Sequence, residues 1–576
     1  MTTEVNIQTE RVDDIPLVVH QLHVMGIPQI VDEIIVPHGN RQGLSVGWTV
    51  VGWLSYIVTE ADHRLSYVES WAKTHEQTLQ SLFPMPVSAQ DFTDDRLGSV
   101  LTYLSQETEW QAIEQELGQH IVQVYELPQE RVRVDSTSAA VYHDPEEQPL
   151  LAFGMSKDHR PDLAQFKIML SALDPLGMPL ATLVVPGNRA DDGLYVPAIR
   201  QSREVLGRRG VLYIGDSKME AFTTRANLAQ AGDYYLTPLS QKGSQTELLQ
   251  ELLQPVWNKT QTLQEIYAPD LDTEQERLVA QGYESQRTLT AEQNDTPVSW
   301  TERLLVIYSP SLAKQAGRGL QERLERAQEK LSALTPPPAR GRRQYRELAP
   351  LQAAADKILK HYRVEGLLRL TCERQERQRQ VRRHKDQPAR SEVQVRYQLH
   401  IQPDLDAITA LERTHGWRLY VTNCSADQLS LADAVLTYRQ SPSFERGFSR
   451  LKNRPLGLRP LYLHREDHIV GLVRLLSLAL RLLTLVEFVV RRELQAQDEK
   501  LAGLYQGNPN RQTNRPTTER LLRVFDNISL TFVNLPGQKI AHVTPLTPLQ
   551  SRILSLLGLP PSIYTELAAS PNSISP

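Results

Sequence analysis

Several features that define common protein classes are missing from this chain of 576 residues. Its two cysteines, Cys372 and Cys424, are too few for a disulfide framework or a cysteine-ligated zinc site. The segment MTTEVNIQTERVDDIP at the start is polar and acidic, so it lacks the charged and apolar pattern of a secretory signal. These absences predict a cytoplasmic protein.

Long uninterrupted apolar runs are also missing. The most apolar stretch, residues 468–490, is broken by Arg474, Arg481 and Glu487. Charges at these positions are costly in lipid, so the stretch predicts a buried amphipathic helix and no membrane partner. The two arginines are seven residues apart on one helix face, which we expect to point to DNA or to solvent.

The chain has no overall positive charge, which small DNA-binding domains usually carry, because its net charge is −5. Positive charge is concentrated locally instead. Residues 371–390 hold seven basic and three acidic side chains, and residues 439–465 hold seven basic side chains and one acidic. The first cluster fits either phosphate contacts or a solvated helix face with ion pairs such as Glu373–Arg377.

Length and periodicity predict several domains. Residues 1–125 have helical periodicity, and we expect a helical domain with a possible role in binding DNA ends. Strands alternate with helices over residues 126–240. Charged helices and strands follow over 241–415, helices return over 416–500, and residues 501–576 form a C-terminal region that we expect to be partly flexible.

Two aspartates follow apolar runs that predict strands. RVRVDS alternates in polarity, and Asp135 is predicted to lie where that strand ends. VLYIGDSKM predicts a buried strand followed by Asp216. Either residue alone is more typical of a turn or a helix cap. Because α/β folds place their chemistry at strand ends, the pair is a candidate site.

A glutamate on a predicted helix, SPSFERGFSRLKNRP, is the third candidate. One face of this helix is apolar (Phe444, Phe448, Leu451) and the next is polar (Glu445, Ser449, Lys452). Two aspartates and this glutamate could hold two Mg²⁺ ions. Alternatively, Glu445 pairs with Arg446 or Arg450 on the surface.

Together these motifs resemble the DDE transposases of the insertion-sequence-4 type. The resemblance is carried by VRVDSTSAAVY, GMSKDHRPDLAQFK, VLYIGDSKM and TYRQSPSFERGFSRLKNRP, and it extends from about residue 10 to about residue 495. Tyr438, Glu445 and Lys452 have the spacing of the family signature. Its arginine position holds Ser441, with Arg439 nearby.

The resemblance implies an α/β multidomain fold with an RNase H-like mixed-sheet catalytic core, an inserted α+β domain and an N-terminal helical domain. It implies Asp135, Asp216 and Glu445 as catalytic metal ligands for two Mg²⁺ ions, with Mn²⁺ able to replace them. The activity would be DNA cleavage and strand transfer at insertion-sequence ends. The partners would be terminal inverted repeats and target DNA, bound by a homodimer in a synaptic complex in a prokaryotic nucleoid.

Basic and aromatic residues near these motifs are candidate DNA contacts: Tyr438, Arg439, Lys452, Lys157, Arg160, Arg446 and Arg450. Lys157 and Arg160 fit a solvated turn equally well. In PGNRADDG, the acids Asp191 and Asp192 are interpreted as a loop with a helix N-cap.

Two other functions stay open. The chain could be a catalytically inactive, DNA-binding descendant of a transposase. It could also be an esterase with Ser217 of the GDS segment as nucleophile, although no histidine partner at the spacing of that class is evident.

Overall fold

A computed structural model describes residues 6–37, 39, 42–144, 149–269, 276–293, 296–337, 339, 344–381, 390–440, 442–535 and 538–569. The chain forms two compact units. The first comprises Met1–Thr237, Thr288–Thr301 and Thr437–Pro576, and the second comprises Pro238–Arg287 and Glu302–Leu436.

The first unit begins with one strand and a group of helices, as the helical periodicity predicts. These elements are β1 (Asn6–Arg11), α1 (Ile15–Val24), α2 (Ile27–Ile34), α3 (Val46–Glu60), α4 (Val68–Thr74), α5 (Glu76–Leu82), α6 (Asp94–Ser105) and α7 (Glu107–Val124). The side chain of Ser45 caps α3 by accepting a hydrogen bond from the Trp48 amide. Trp48 and Trp53 are buried in the core of this helical region.

A mixed sheet follows in the first unit. Its elements in chain order are β2 (Arg131–Val141), β3 (Ala164–Leu173), β4 (Met178–Pro186), α8 (Tyr195–Leu206), β5 (Leu212–Gly215), α9 (Phe222–Ala231) and β6 (Tyr234–Pro238). The strands lie in the order β4-β3-β2-β5-β6. The β2–β3 and β3–β4 pairs are antiparallel, whereas β2–β5 and β5–β6 are parallel. A turn at residues 174–177 joins β3 to β4, and Gly177 has the positive φ of 76° that favours glycine.

The strand that carries Asp135 is longer than predicted. Asp135 does not end β2, so that prediction is wrong, because antiparallel pairing with β3 extends β2 to Val141. The parallel pairing with β5 stops one residue before Asp135, at the pair Val134–Gly215. The sequence pattern shows where apolar alternation stops, but pairing with the neighbouring strand decides where the strand stops.

The second unit contains most of the next elements. They are α10 (Ser244–Trp257), β7 (Gln264–Pro269), β8 (Glu276–Gln293), β9 (Thr296–Tyr308), α11 (Pro310–Ser332), α12 (Leu348–Tyr362), β10 (Leu368–Val381), β11 (Arg390–Pro403), α13 (Leu405–Glu412) and β12 (Trp417–Thr422). Within this unit β12, β9, β8 and β7 are neighbours in that order, and β10 and β11 form a separate two-stranded sheet. Residues 371–381 therefore lie in a strand. The helix alternative for the basic cluster is wrong there, and residues 382–389 lie outside the described residues.

The remaining elements are α14 (Leu431–Arg439), α15 (Pro442–Lys452), α16 (Glu466–Ala496), α17 (Thr518–Arg523), β13 (Ser529–Leu535), β14 (Gln538–Val543), α18 (Pro548–Leu556) and α19 (Ser562–Thr565). Strand β13 lies between β1 and β14, so the C-terminal segment closes a small sheet with the first strand of the chain.

Helix α16 is the apolar stretch noted in the sequence. By length and composition it could cross a membrane, but 94% of its most apolar window is buried inside the protein, as predicted for a core helix. Arg481 pairs with Glu114 at 2.9 Å, with neither side chain exposed. Arg474 donates to the carbonyl oxygens of Leu104 and Ser105 at the end of α6. The expectation that both arginines face DNA or solvent is wrong, because these partners compensate their buried charge.

Candidate active site

The two predicted aspartates lie side by side at the centre of the first unit's sheet. Val134 of β2 and Gly215 of β5 are the last partners in the parallel pairing of these two strands. The residues that follow them, Asp135 and Asp216, therefore lie next to each other just beyond that pairing. Neighbouring strands are about 4.8 Å apart. The negative charge of Asp216 contributes to a raised pKa of Asp135. The pairing register therefore brings together two carboxylates that are 81 residues apart in the chain.

Asp216 is held by three short hydrogen bonds. Its Oδ1 accepts from the Tyr195 hydroxyl at 2.6 Å and from the Lys218 amide at 2.8 Å. Its carbonyl oxygen accepts from the Thr237 hydroxyl at 2.7 Å. Tyr195 is buried, and burial followed by the charges of Asp216 and Asp135 raises the pKa of its hydroxyl, so it stays a donor. These bonds fix the orientation of the carboxylate through Oδ1. Oδ2 is then the oxygen that could bind a metal ion.

The glycine of the GDS segment has a packing role. A Cβ at Gly215 would lie 2.9 Å from the Tyr195 ring and 2.7 Å from the Met219 sulfur. Any side chain here would push Tyr195 away from Asp216. Gly215 is therefore explained by the close approach of Tyr195 to the strand end.

Asp135 has a lysine as its nearest cation. Lys157 Nζ lies 3.1 Å from Asp135 Oδ1 and donates to the Ser136 carbonyl oxygen at 2.6 Å. The same carboxylate oxygen accepts from the Ser136 amide at 2.7 Å. Burial raises the pKa of Asp135, and Lys157 opposes that effect. About a third of each side chain stays exposed, 36% for Asp135 and 33% for Lys157, so the pair is open to solvent and ligands.

A second acid–lysine pair lies behind the first. Asp191 accepts from Lys167 Nζ at 2.6 Å and is 3.7 Å from Lys157 Nζ. Burial works against ionisation here, but the Lys167 hydrogen bond and the charge of Lys157 leave the pKa of Asp191 lowered. Asp191 does precede the short helix Asp192–Leu194, as the N-cap interpretation expects, but its side chain makes no cap hydrogen bond. Its carboxylate instead binds lysines of the site.

The loop that carries Lys157 is anchored by a residue that sequence reasoning missed. Asp158 accepts from Lys452 Nζ at 2.8 Å and lies 3.0 Å from a guanidinium nitrogen of Arg459. Its side chain is only 9% exposed. Lys452, a predicted DNA contact, thus holds the loop next to Asp135. The only hint in the sequence was a lone acid among the basic residues of KDHR.

Glu445 lies in the first turn of α15 and its side chain is exposed. Phe444, Phe448 and Leu451 are buried, which confirms the predicted packing face. Helix α15 packs against β2. At its C-terminal end Lys452 Nζ is 3.5 Å from the Ser138 carbonyl oxygen, and at its start the Ser443 carbonyl approaches Gly177. The helix therefore runs beside the strand that carries Asp135.

The acids at this site differ in how far the structure brings them together. Asp135 and Asp216 are neighbours, and their oxygen donors in a partly exposed position fit a hard divalent cation. Among the described residues, no group of three histidine, cysteine, aspartate or glutamate side chains is already arranged to hold a metal ion. Glu445 lies on the adjacent helix and is not part of such a group in this conformation.

Two predicted DNA contacts on α15 belong to an ion-pair network. Arg446 and Arg450 donate to the two carboxylate oxygens of Glu487, each at 2.6 Å, and Arg450 also binds Glu519 at 2.6 Å. Arg450 is 6% exposed, so its charge is directed into the protein. Through these contacts Arg450 joins α15 to α16 and α17.

Two other predicted contacts are Tyr438, whose backbone is held beside β2 by Arg133, and Arg160, in the Lys157 loop. Arg133 donates to the carbonyl oxygens of Thr437 and Tyr438 at 2.7 and 3.3 Å and to Asp174 at 2.8 Å. This buried arginine fixes the end of α14 beside β2. Arg160 forms an exposed pair with Asp162 at 2.8 Å.

Tyr438 and Arg439 are partly exposed, and Ser441 lies outside the described residues.

Comparison with known proteins identifies the family. No curated protein matches the chain significantly. Among solved structures, the chain is similar to a piggyBac transposase in a synaptic complex with hairpin DNA, with 8% sequence identity and a TM-score of 0.33, covering 96% of this chain and 83% of that chain. Residues 127–482, which hold both aspartates and Glu445, match the family model of the transposase DDE domain. The chain therefore belongs to the DDE transposase family.

Proposed function

We propose that this chain is an active, metal-dependent DNA transposase of the insertion-sequence-4 subgroup, with an RNase H-like core. The observation that carries the proposal is the pairing of Asp135 with Asp216 across β2 and β5, inside a domain that matches the family. Glu445 is the third acid, on a helix that packs along β2. Strand cleavage at the ends of the element and strand transfer to target DNA are the reactions proposed.

The carboxylates of Asp135, Asp216 and Glu445 would hold two Mg²⁺ ions, which Mn²⁺ can replace. When bound, such ions supply charge stabilisation to both the attacking and the leaving oxygen of a phosphodiester. Tyr195 keeps the Asp216 carboxylate oriented through its 2.6 Å hydrogen bond. For a site with three acids, the Glu445 carboxylate has to join the aspartate pair when metal is bound.

Phosphate contacts are assigned to the cations that face solvent near the pair. Lys157 and Arg160 lie on the loop beside Asp135, and Arg439 and Tyr438 lie at the end of α14. Lys452 and Arg446 support the same surface from α15. Arg450 is better explained as a packing residue, because two carboxylates already bind it.

The wider organisation follows from the family. The helical region at residues 1–125 would bind the transposon ends, residues 126–240 and 416–500 would form the catalytic core, and residues 241–415 would be the inserted domain. Terminal inverted repeats and target DNA would be bound by a homodimer, in the nucleoid of a prokaryotic cell.

The test is nicking of a DNA that carries the flanking inverted repeats, with Mg²⁺ or Mn²⁺. Asp135→Asn, Asp216→Asn and Glu445→Gln keep side-chain size and remove a charge. Asp192→Asn is the matched control, because Asp192 is exposed and lies beside the site without binding its lysines. We expect the three site variants to bind DNA and lose cleavage by about 10³-fold or more, and the control to cut normally.

Each other result has a defined meaning. If one of the three variants still cuts, that acid is no metal ligand. If wild type binds the DNA but does not cut with either metal, the chain is an inactive descendant. Family membership leaves little support for an esterase, and ester hydrolysis that Ser217→Ala abolishes would be needed to revive it.

A further inference from the structure

The second unit carries a separate two-stranded sheet formed by β10 and β11. Its register pairs 14 residues of each strand, from Leu368–Pro403 to Val381–Arg390. At about 3.4 Å per residue it is about 45 Å long. No third strand joins it among the described residues. We refer to it as the ribbon.

One face of the ribbon packs on the protein near its base. Leu368 and Leu399 belong to a buried cluster with residues of α11 and α12, and Leu370, Cys372 and Ile401 pack against that cluster. Because side chains alternate between the faces of a strand, the residues between these positions form the opposite face. The base is therefore fixed and the opposite face points away from the cluster.

That opposite face is polar from Arg369 to Arg379, and Glu392 is the register partner of Arg379. The register places these pairs on it: Arg369–Gln402, Thr371–His400, Glu373–Gln398, Gln375–Arg396 and Arg377–Gln394. Hydrogen bonds between the two strands hold some of these side chains in place. Arg396 donates to Gln375 Oε1 at 2.5 and 2.9 Å, and His400 lies 3.1 Å from Glu373.

Composition and charge of the ribbon differ from those of the whole chain. Its two strands hold six arginines, six glutamines and three glutamates, a net charge of +3, while the whole chain carries −5. Residues 376–380 are all exposed, including Arg377 and Arg379. Over these residues the side chains on both faces of β10 are exposed, so burial in a core does not explain Arg377 and Arg379.

We propose that the polar face of the ribbon binds duplex DNA. A two-stranded ribbon fits the major groove of B-DNA, and arginine and glutamine are the side chains that bind guanine and adenine edges there. Arg377 and Arg379 contact phosphates or bases on the exposed half, and the glutamines face base edges. The proposal rests on the proposed function, because it takes the transposon or target DNA as the partner.

The experiment compares two variants of the full chain, each of which loses two positive charges from the second unit. Arg377→Gln with Arg379→Gln changes the ribbon, and Arg326→Gln with Lys330→Gln changes exposed positions on α11. Binding is measured by fluorescence anisotropy on a labelled duplex of about 30 base pairs that carries the inverted repeat, in EDTA, from about 50 to 200 mM NaCl. Circular dichroism checks that each variant is folded.

We expect the ribbon variant to bind at least about tenfold more weakly than wild type, with a salt slope reduced by about 2, and the α11 variant to bind almost as wild type does. Equal affinity for the two variants would overturn the proposal. So would a change of oligomeric state without a change in DNA affinity, since the ribbon would then pair copies of the chain. The two proposals can fail separately. If wild type nicks DNA and the ribbon variant binds DNA as tightly as wild type, the ribbon proposal fails and the proposed function stands.

Discussion

The ammonium group of Lys157 lies 3.1 Å from Asp135 Oδ1, and its charge opposes the rise in the pKa of Asp135 to which Asp216 contributes. Its positive charge offsets the negative charge of Asp135. A divalent cation held by Asp135 and Asp216 would meet repulsion from this ammonium, so Lys157 has to move aside or turn toward a phosphate when a metal is bound.

Removal of that charge should strengthen metal binding if the proposed site is correct. We expect Lys157→Gln to bind Mn²⁺ about three- to tenfold more tightly than wild type in the absence of DNA, because a competing charge a few ångströms away is gone. Isothermal titration calorimetry on the full chain measures this. Arg160→Gln is the control from the same loop, since that arginine pairs with Asp162. Unchanged or weaker binding by Lys157→Gln would contradict the prediction.

The anchor of the same loop gives a second prediction. Asp158→Asn leaves Lys452 and Arg459 without the carboxylate that neutralises them, at a side chain only 9% exposed. We expect residues 154–160 to lose about 2–3 kcal/mol of protection in hydrogen exchange.

Asp162→Asn is the comparison for this measurement. The Arg160–Asp162 pair is 43% and 59% exposed, and exposed pairs contribute little. We expect its hydrogen exchange to match that of wild type. If both variants behave alike, the Asp158 contacts do not hold the loop.

Local patterns predicted the parts of this site that depend on neighbours in sequence. The strand around Val134 and the packing face with Phe444 and Phe448 follow from periodicity. The end of β2 did not, because apolar alternation stops at Asp135 while pairing with β3 continues to Val141.

The contacts that the sequence did not reveal join residues that are distant in sequence. Arg481 pairs with Glu114 across 367 positions, and Lys452 with Asp158 across 294. A charge on a helix has the same local pattern whether it faces solvent or a buried carboxylate. The arginine-rich stretch at 371–381 has helix-forming residues, yet pairing with β11 makes it a strand. Tyr195 gave no signal, since a tyrosine at a helix start is unremarkable until Asp216 is placed beside it.

The hydroxyl of Tyr195 provides a third prediction. Tyr195→Phe removes the 2.6 Å hydrogen bond to Asp216 and leaves the ring in place. We expect nicking to slow by about 10- to 100-fold with a higher Mg²⁺ requirement, because the carboxylate loses a partner that orients it. The measurement is the nicking rate as a function of Mg²⁺ concentration.

Tyr213→Phe is a matched control on β5, the strand that leads to Asp216. Tyr213 is also fully buried, and its hydroxyl has no hydrogen-bond partner among the described residues. We expect this variant to nick as wild type does and to be as stable or slightly more stable. Equal losses in the two variants would indicate a general effect of removing a buried hydroxyl and would contradict an orienting role for Tyr195.

The fourth prediction concerns pH and a site away from the metal-binding acids. Asp14, just before α1, is 7% exposed. Burial raises its pKa to about 7, with the nearby Asp13 and Asp526 adding to the rise and the hydrogen bond from Thr59 opposing it. The charged residues Arg454, Arg523 and Glu519 line the same cavity.

The sign of the effect follows from the raised pKa. Between the ordinary value of 3.8 and about 7, the folded state holds a proton on Asp14 that the unfolded state has released. Stability contributed by this group therefore falls as pH rises through that window, and the loss is complete above about pH 7. The Asp14→Asn variant has no group that ionises here, so it does not lose this stability as pH rises. Its free energy of unfolding minus that of wild type should therefore increase by about 2–4 kcal/mol between about pH 4 and pH 8. Hydrogen exchange in α1, measured on both proteins across that range, tests this, and a constant difference between them would show that Asp14 is ionised in the folded protein throughout.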